Sequence, residues 1–196
     1  MFFRSGFISS VRFFLVSLIS VVFLSACSEA TLGSKSLTES LPATTIAGAP
    51  VAVRTIGDIV VPLSSDADSV ADSTQFVTSI KLRNLTLNIL DASEQQSDED
   101  GAMDDFDFLS GMQVFMTARF GGQDRQVLVA SLPEGDPQIG SGSRSLVLTV
   151  ENVDVLDFLE SPSGFGLLVR GQGTTPPDNV VFGGEARFRV GLGLRF

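Results

Sequence analysis

Apolar and polar residues alternate along much of the chain after residue 51, and the alternation is clearest at residues 80–89. Apolar and polar residues alternate in 80–83 and again in 85–89, and Asn84 stands between the two runs. A period of two is typical of a strand with one buried face. Because Asn84 shifts the phase, the pattern predicts a β-bulge or a change of face there.

Other short runs of β-forming residues predict further strands. The runs 114–116 and 127–129 flank the polar segment 121–124, which predicts a hairpin with a turn of about four residues. Seven strands are predicted in all, at residues 59–63, 80–89, 114–116, 127–129, 146–150, 165–169 and 186–196. Helix is predicted only at 154–160, with Asn152 or Asp154 as its N-cap and Pro162 as its terminator.

These elements predict an all-β domain over residues 51–196. The expected architecture is a seven-stranded antiparallel β-sandwich, immunoglobulin-like in size, with one short helix. The chain has one cysteine and no tryptophan, so the disulfide and tryptophan of an antibody-type core are absent. Phenylalanine is the large core residue instead, because ten of the sixteen phenylalanines follow residue 27.

Composition excludes several kinds of chemistry. The 196-residue chain contains no histidine and one cysteine, which excludes histidine-based nucleophilic triads and zinc sites with imidazole ligands. Its net charge is -10, with 13 basic and 23 acidic residues, which argues against nucleic acid as a partner. We therefore expect no enzyme, no catalytic residues and no nucleic-acid binding.

The first 27 residues have the pattern of an export signal. Arg4 and Arg12 precede an apolar run at 13–24, which has the length of a signal-peptide core and is too short to span a bilayer as a helix. The run ends in Leu24-Ser25-Ala26-Cys27. This sequence resembles the lipobox of bacterial lipoproteins, and the resemblance covers residues 1–27 only. It predicts a lipoprotein signal peptide at 1–26.

The resemblance implies that Cys27 becomes the first residue of the mature protein and carries a lipid. In that family the thiol receives a diacylglycerol, and the amine often receives a further acyl chain such as palmitate. Two or three acyl chains anchor a protein far more firmly than one. Ser28 follows the cysteine where an Asp would favour retention in the inner membrane, so the resemblance favours the outer membrane and a domain in the periplasm or at the cell surface.

The segment between anchor and domain has the composition of a linker. Residues 27–50 are rich in Ser, Thr, Ala and Gly and contain Pro42 and Pro50, which predicts a lipid anchor followed by a flexible spacer. Removal of 1–26 takes away Arg4 and Arg12 but no acid. The mature chain is therefore more acidic still, and we expect its surface to avoid anionic lipids, leaving the lipid alone to hold it.

Residues 94–107 are the densest acidic stretch, with seven Asp or Glu among fourteen residues. Carboxylates at alternate positions around Gly101 are the kind of ligand that calcium prefers. A calcium site would use Asp98, Asp100, Asp104 and Asp107. Against this, Gln96 occupies the first position of an EF-hand frame and no helical pattern precedes it. A solvated loop between two strands is the simpler interpretation.

The last residues alternate without a break. Their apolar members are a candidate interaction surface: Phe188, Val190, Leu192, Leu194 and Phe196. The pattern resembles the C-terminal signal of outer-membrane β-barrels, but the chain has no Tyr or Trp for the aromatic girdles of a barrel. A sandwich strand with one buried face is the simpler interpretation. Gly191 and Gly193 lower its strand propensity and suggest a twist or a close approach of another backbone.

The sequence thus predicts a lipid-anchored, non-enzymatic envelope lipoprotein that presents an acidic β-sandwich for binding or structural interaction. Its predicted partners are the membrane, through Cys27, and an envelope protein. Two alternatives stay open: a small outer-membrane β-barrel or barrel-associated subunit, and a calcium-dependent adhesion module. No other cofactor is expected.

Overall fold

The computed structural model describes residues 33–49, 56–63, 75–90, 104–140, 142–159, 161 and 164–194. These residues form strands at Gly33–Ile46 (β1), Ile59–Pro62 (β2), Gln75–Ile89 (β3), Leu109–Phe120 (β4), Gln123–Leu132 (β5), Ser145–Val147 (β6), Thr149–Val150 (β7), Phe165–Gly173 (β8) and Val180–Leu194 (β9). The helix described, α1, spans Leu156–Leu159.

The strands form two antiparallel sheets. Sheet A has the strand order β1-β9-β3-β6, and sheet B has the order β2-β8-β4-β5-β7. Both sheets are open, so β1 and β6 are edge strands of sheet A as described, and β2 and β7 are edge strands of sheet B. The predicted all-β sandwich is confirmed.

A single apolar core lies between the two sheets. In β3 the buried residues Leu82 and Leu85 are three positions apart, because the pairing of β3 with β9 skips one residue between Leu82 and Asn84. The bulge predicted at Asn84 is therefore confirmed. It allows both halves of β3 to direct their leucines and isoleucines into the core.

The described part of the structure has nine strands, two more than the seven predicted. One of the two extra strands arises because the segment 146–150, predicted as a single strand, forms two. This segment divides at Leu148, so that β6 pairs with β3 in sheet A and β7 pairs with β5 in sheet B. Leu148 is buried between them, and its N–H donates to the carbonyl of Leu85. Gln138 bonds both the N–H and the carbonyl of Val147, which supports the short β6.

The other additional strand is β1, and it corrects the prediction of a flexible spacer at 27–50. Gly33–Ile46 pairs along its length with β9. Leu41 and Ile46 are its buried residues, and most of the others are exposed. The Ser- and Thr-rich composition of an exposed edge strand resembles that of a linker, because backbone hydrogen bonds rather than apolar side chains hold it in the sheet.

Two local predictions needed adjustment. The predicted hairpin exists, but β4 and β5 are joined by a turn of two residues, Gly121 and Gly122, at φ of 56° and 85°. Glycine suits such positive φ angles, which align the turn with the twist of the strands. The helix is one turn long and not the predicted two. Of the two predicted N-caps, Asp154 is the one that caps it, since its Oδ1 accepts the N–H of Leu156 over 3.1 Å.

Candidate anion-binding groove

The outer face of sheet A is polar and basic. In β9, Phe188 and Val190 are buried in the core, so the alternate residues Arg187 and Arg189 lie on the outer face and are exposed. The β1 residues that pair with this outer row are all hydroxyl-bearing: Ser34, Ser36, Thr38 and Ser40.

β3 adds two cations beside Arg189. Lys81 is opposite Arg189 in the sheet register. Arg83 occupies the bulge between Leu82 and Asn84. Because the bulge places an extra residue on the outer side of β3, Arg83 borders the same groove as Lys81 and Arg189. Three cations from two adjacent strands therefore meet on one face.

These cations border an open groove of about 420 Å³. We name it the basic groove, and its lining residues are Gly33, Ser34, Ser79, Lys81, Arg83, Arg189 and Gly191. Glycine at position 191 leaves room for two hydroxyls of β3: a Cβ there would clash with Ser79 Oγ and lie 2.9 Å from Thr78 Oγ1. The atoms that approach Gly191 are thus side-chain hydroxyls of β3, and not another backbone as the sequence suggested.

Hydrogen bonds hold two of the three cations in place. Arg189 Nε donates to Ser34 Oγ over 2.9 Å, and Lys81 Nζ donates to Asn152 Oδ1 over 3.2 Å. Arg83 has no hydrogen bond or ion pair to any described residue. A guanidinium has five N–H donors, so both arginines keep donors for a bound ligand.

The groove cations also lack carboxylate partners within the described ranges, unlike other arginines of the domain. Exposed ion pairs join Arg119 to Asp124, Arg170 to Asp58 and Arg187 to Glu185. No such pair includes Lys81, Arg83 or Arg189. The groove is therefore a local positive site on a chain whose net charge is -10.

One carboxylate lies beside the groove. Asp154 is next to Lys81 along the edge of β3, where its Oδ1 accepts the N–H of Ile80 over 2.9 Å. The same oxygen accepts the N–H of Leu156. These two N–H donors account for the position of Asp154, which joins α1 to sheet A and forms no ion pair with the groove cations.

This arrangement is suited to holding an anion. Arginine pairs with phosphate or carboxylate oxygens in forked geometry, and lysine adds a point charge. The hydroxyls of Ser34 and Ser79 can donate further hydrogen bonds to an anion. By contrast, the apolar cavity between the sheets beside Phe106 and Met112 has a volume of about 10 Å³ and is too small for an organic ligand.

The residues predicted to bind calcium are only partly described. Asp98 and Asp100 lie outside the described residues. Asp104 and Asp107 lie before β4, next to Asp105, whose carboxylate accepts the N–H groups of Asp107 and Gly142. Within the described ranges no three carboxylate or thiol side chains are grouped to hold a metal ion. The calcium hypothesis stays a prediction.

The prediction that the apolar residues near the C-terminus form an interaction surface is wrong for the three residues whose side chains are described. Phe188, Val190 and Leu192 are each less than 5% exposed and pack in the core. They cannot contact a partner in this fold, because β9 is an inner strand of sheet A and its apolar face is covered by sheet B. The side chain of Leu194 and all of Phe196 lie outside the described residues.

Cys27, the predicted lipidation site, also lies outside the described residues, so its acylation stays a prediction. No helix in the described part of the chain is long and apolar enough to cross a membrane.

No protein-family model matches the chain, and comparison with curated proteins returned no similar sequence. The candidate site therefore rests on the geometry of the groove alone. Sequence reasoning missed it, although Lys81 and Arg83, like Arg187 and Arg189, alternate with apolar residues. That alternation signals two exposed basic strand faces, but it does not reveal that the two strands are neighbours.

Proposed function

We propose that this protein is a lipid-anchored, non-enzymatic binding protein of the bacterial envelope, and that its β-sandwich binds an anionic group in the basic groove. The observation that carries the binding role is the meeting of Lys81, Arg83 and Arg189 in one open groove, where none of them pairs with a carboxylate of a described residue. The lipobox-like sequence that ends at Cys27 supports the anchoring role.

The side chains of the groove favour binding over catalysis. They comprise three cations and two hydroxyls, and the chain has no histidine to activate Ser34 or Ser79 as a nucleophile. Electrostatic attraction and hydrogen-bond donation need no general base. The groove is therefore equipped to hold an anion without changing it.

The anchor supplies the second half of the proposed mechanism. A domain confined to a membrane by acyl chains on Cys27 meets ligands at that surface at a raised effective concentration. Weak binding by a shallow groove is then sufficient for function. Ser28 supports the outer membrane as the site of anchoring, with the domain in the periplasm or at the cell surface.

Mass spectrometry of the mature protein tests the anchoring. Expressed in a bacterium that processes lipoproteins, the chain should begin at Cys27 and carry the mass of a diacylglyceryl group. Cys27→Ala should remain unprocessed, whereas Ser28→Ala should be processed normally. Cleavage at another bond, with an unmodified thiol, contradicts the proposal.

Calorimetry with inorganic pyrophosphate tests the groove. The mature protein in a neutral detergent should bind pyrophosphate, and Arg83→Gln with Arg189→Gln should weaken binding about tenfold or more, since each removes a charge-assisted hydrogen-bond donor. Arg144→Gln with Arg170→Gln removes the same charge outside the groove and should leave binding nearly unchanged. Equal losses in both pairs would show that only net charge matters.

Strand addition at β1 is a second candidate, and it is favoured by one observation. Among the described strands, β1 is a 14-residue edge strand of sheet A, and such an edge presents backbone groups for pairing with another chain. This is the route by which an envelope protein partner would bind. A photo-crosslinking residue at Ser36 should then capture a partner in cells, whereas one at Gln123, in the β4–β5 hairpin, should not.

A further inference from the structure

The basic groove lies close in sequence to the proposed lipid anchor. Gly33 and Ser34 line the groove, and residues 28–32 are all that separate Gly33 from Cys27. An extended chain spans about 3.3–3.6 Å per residue, so this connection reaches at most roughly 20 Å. Gly33, at one end of the groove, therefore cannot lie farther than this from the point where Cys27 meets the bilayer.

The direction of β1 places the groove at the anchor end of the sandwich. β1 begins at Gly33, opposite Leu192, and ends at Ile46, opposite Val180. At about 3.3 Å per residue, the two ends of this strand are roughly 40 Å apart. Because the groove is at the start of β1, it belongs to the part of the domain that the anchor holds nearest to the membrane.

An aromatic ring extends the surface further towards the anchor end. Phe76 is opposite Gly193 in the register, one row beyond Ser79 and Gly191. Its ring lies over Gly193, where a Cβ would be 2.7 Å from the ring Cζ, and the side chain is half-buried. Apolar burial and electrostatic attraction act together when a surface binds an anionic bilayer. The groove and Phe76 supply both.

We propose that the basic groove binds the phosphates of anionic lipid headgroups in the bilayer that holds Cys27. This inference rests on the proposed function, since the anchor is what brings the bilayer to the groove. Guanidinium groups match phosphate oxygens in forked geometry. The domain then docks on the membrane by the groove face of sheet A and does not move freely on its tether.

Net charge does not oppose this docking. At physiological ionic strength, exposed charges more than about 8 Å apart are largely screened from one another. The acidic residues on other faces of the domain therefore act weakly at the groove. Asp154, beside Lys81, offsets one of the three positive charges and leaves a net positive groove. The expectation that the whole surface avoids anionic lipids is thus replaced, for this face, by attraction.

Fluorescence quenching in reconstituted vesicles tests the proposal. The mature lipidated protein carries an environment-sensitive dye at Ser36→Cys, beside the groove, or at Thr45→Cys, about 30 Å away along β1. Vesicles contain a trace of headgroup-spin-labelled lipid in phosphatidylcholine or in an equimolar mixture with phosphatidylglycerol. Phosphatidylglycerol should increase quenching at Ser36→Cys about twofold or more and leave Thr45→Cys unchanged, and high salt should abolish the increase.

The matched variants separate headgroup binding from simple proximity. Arg83→Gln with Arg189→Gln should remove the increase caused by phosphatidylglycerol, whereas Arg144→Gln with Arg170→Gln should retain it. Thermal melting confirms that each variant is folded, and Arg83→Gln alone replaces the pair if the pair unfolds. Equal quenching of a lipidated protein in both kinds of vesicle overturns the inference and leaves the lipoprotein proposal standing.

Two further arms identify the source of the phosphate and the cause of a failure. Free inorganic phosphate added to phosphatidylcholine vesicles should not increase quenching, and it should compete with phosphatidylglycerol. If free phosphate binds but phosphatidylglycerol has no effect, the groove serves a soluble anion and the lipid inference is wrong. A protein that lacks the diacylglyceryl mass contradicts the proposed function itself, which the same preparation reveals before any quenching is measured.

Discussion

Arg189 donates a hydrogen bond from Nε to Oγ of Ser34 over 2.9 Å, although the two residues are 155 positions apart in the chain. The bond joins the outer faces of β9 and β1. It holds the guanidinium at the edge of the basic groove, and it uses one of five N–H donors. The four remaining donors, on the two terminal nitrogens, stay available to an anion.

Ser34→Ala should therefore weaken pyrophosphate binding by about threefold to tenfold, the equivalent of one lost hydrogen bond, because Arg189 is no longer held in place. The free energy of unfolding should change by less than about 1 kcal/mol, since the bond is exposed. Calorimetry and chemical denaturation measure the two effects. Ser40→Ala, on the same face of β1 but outside the groove, is the control. A comparable loss of binding in that variant would contradict the role of Ser34.

Asp154→Ala should lower the free energy of unfolding by about 1–3 kcal/mol, because it leaves the N–H groups of Ile80 and Leu156 without their shared acceptor. Asp154→Asn keeps an acceptor oxygen and should cost less. Denaturation by urea measures both changes. Asp157→Ala, on the exposed side of the same helix, is the control, and an equal cost there would mean that loss of acidic charge at α1 causes the effect.

Gly184→Ala should destabilise the domain by about 2 kcal/mol or more. A Cβ at this position of β9 would overlap the backbone carbonyl of Thr86 on β3, and a backbone atom cannot move aside as a flexible side chain can. Gly57→Ala meets nothing within 4 Å and is the matched control. Thermal melting should show a clear loss for the first variant and none for the second. Similar melting temperatures for the two would contradict the close approach of β3 and β9.

Arg170→Gln should cost only about 1 kcal/mol of stability or less. Arg170 pairs with Asp58 over 3.2 Å and its guanidinium lies 4.9 Å from the ring centre of Phe115, but both the arginine and the aspartate are substantially exposed. A double-mutant cycle with Phe115→Leu measures the ring contribution. A loss of several kcal/mol would show a buried role for Arg170 and would disqualify the variant as a control for the groove.

Local patterns predicted the features that depend on neighbours in sequence. The phase shift at Asn84 indicated the bulge of β3, and Gly121 and Gly122 indicated the hairpin turn. Both could be predicted because the alternation along a strand and a turn with positive φ angles each depend on a few adjacent residues. Leu148 was harder to interpret. Its run reads as one strand, and only the positions of β3 and β5 decide that the chain changes sheets there.

The groove could not be predicted for a related reason. Lys81 and Arg189 are far apart in sequence and become neighbours only through the pairing of β3 with β9. β1 was hidden by its own composition, since an edge strand of Ser and Thr carries few apolar residues to mark it. Without β1, neither Ser34 nor the start of the groove could be placed.

The sequence by itself determined the all-β class, the overall acidity and the lipobox-like start, because alternation, net charge and a contiguous motif can each be read along one chain. Tertiary structure alone decided which strands are neighbours. Net charge is a sum over all residues and does not say where each charge lies in the fold. The acidity of the chain therefore gave no sign that three cations lie together on one face. Strand pairing supplies those positions, and with them the candidate site.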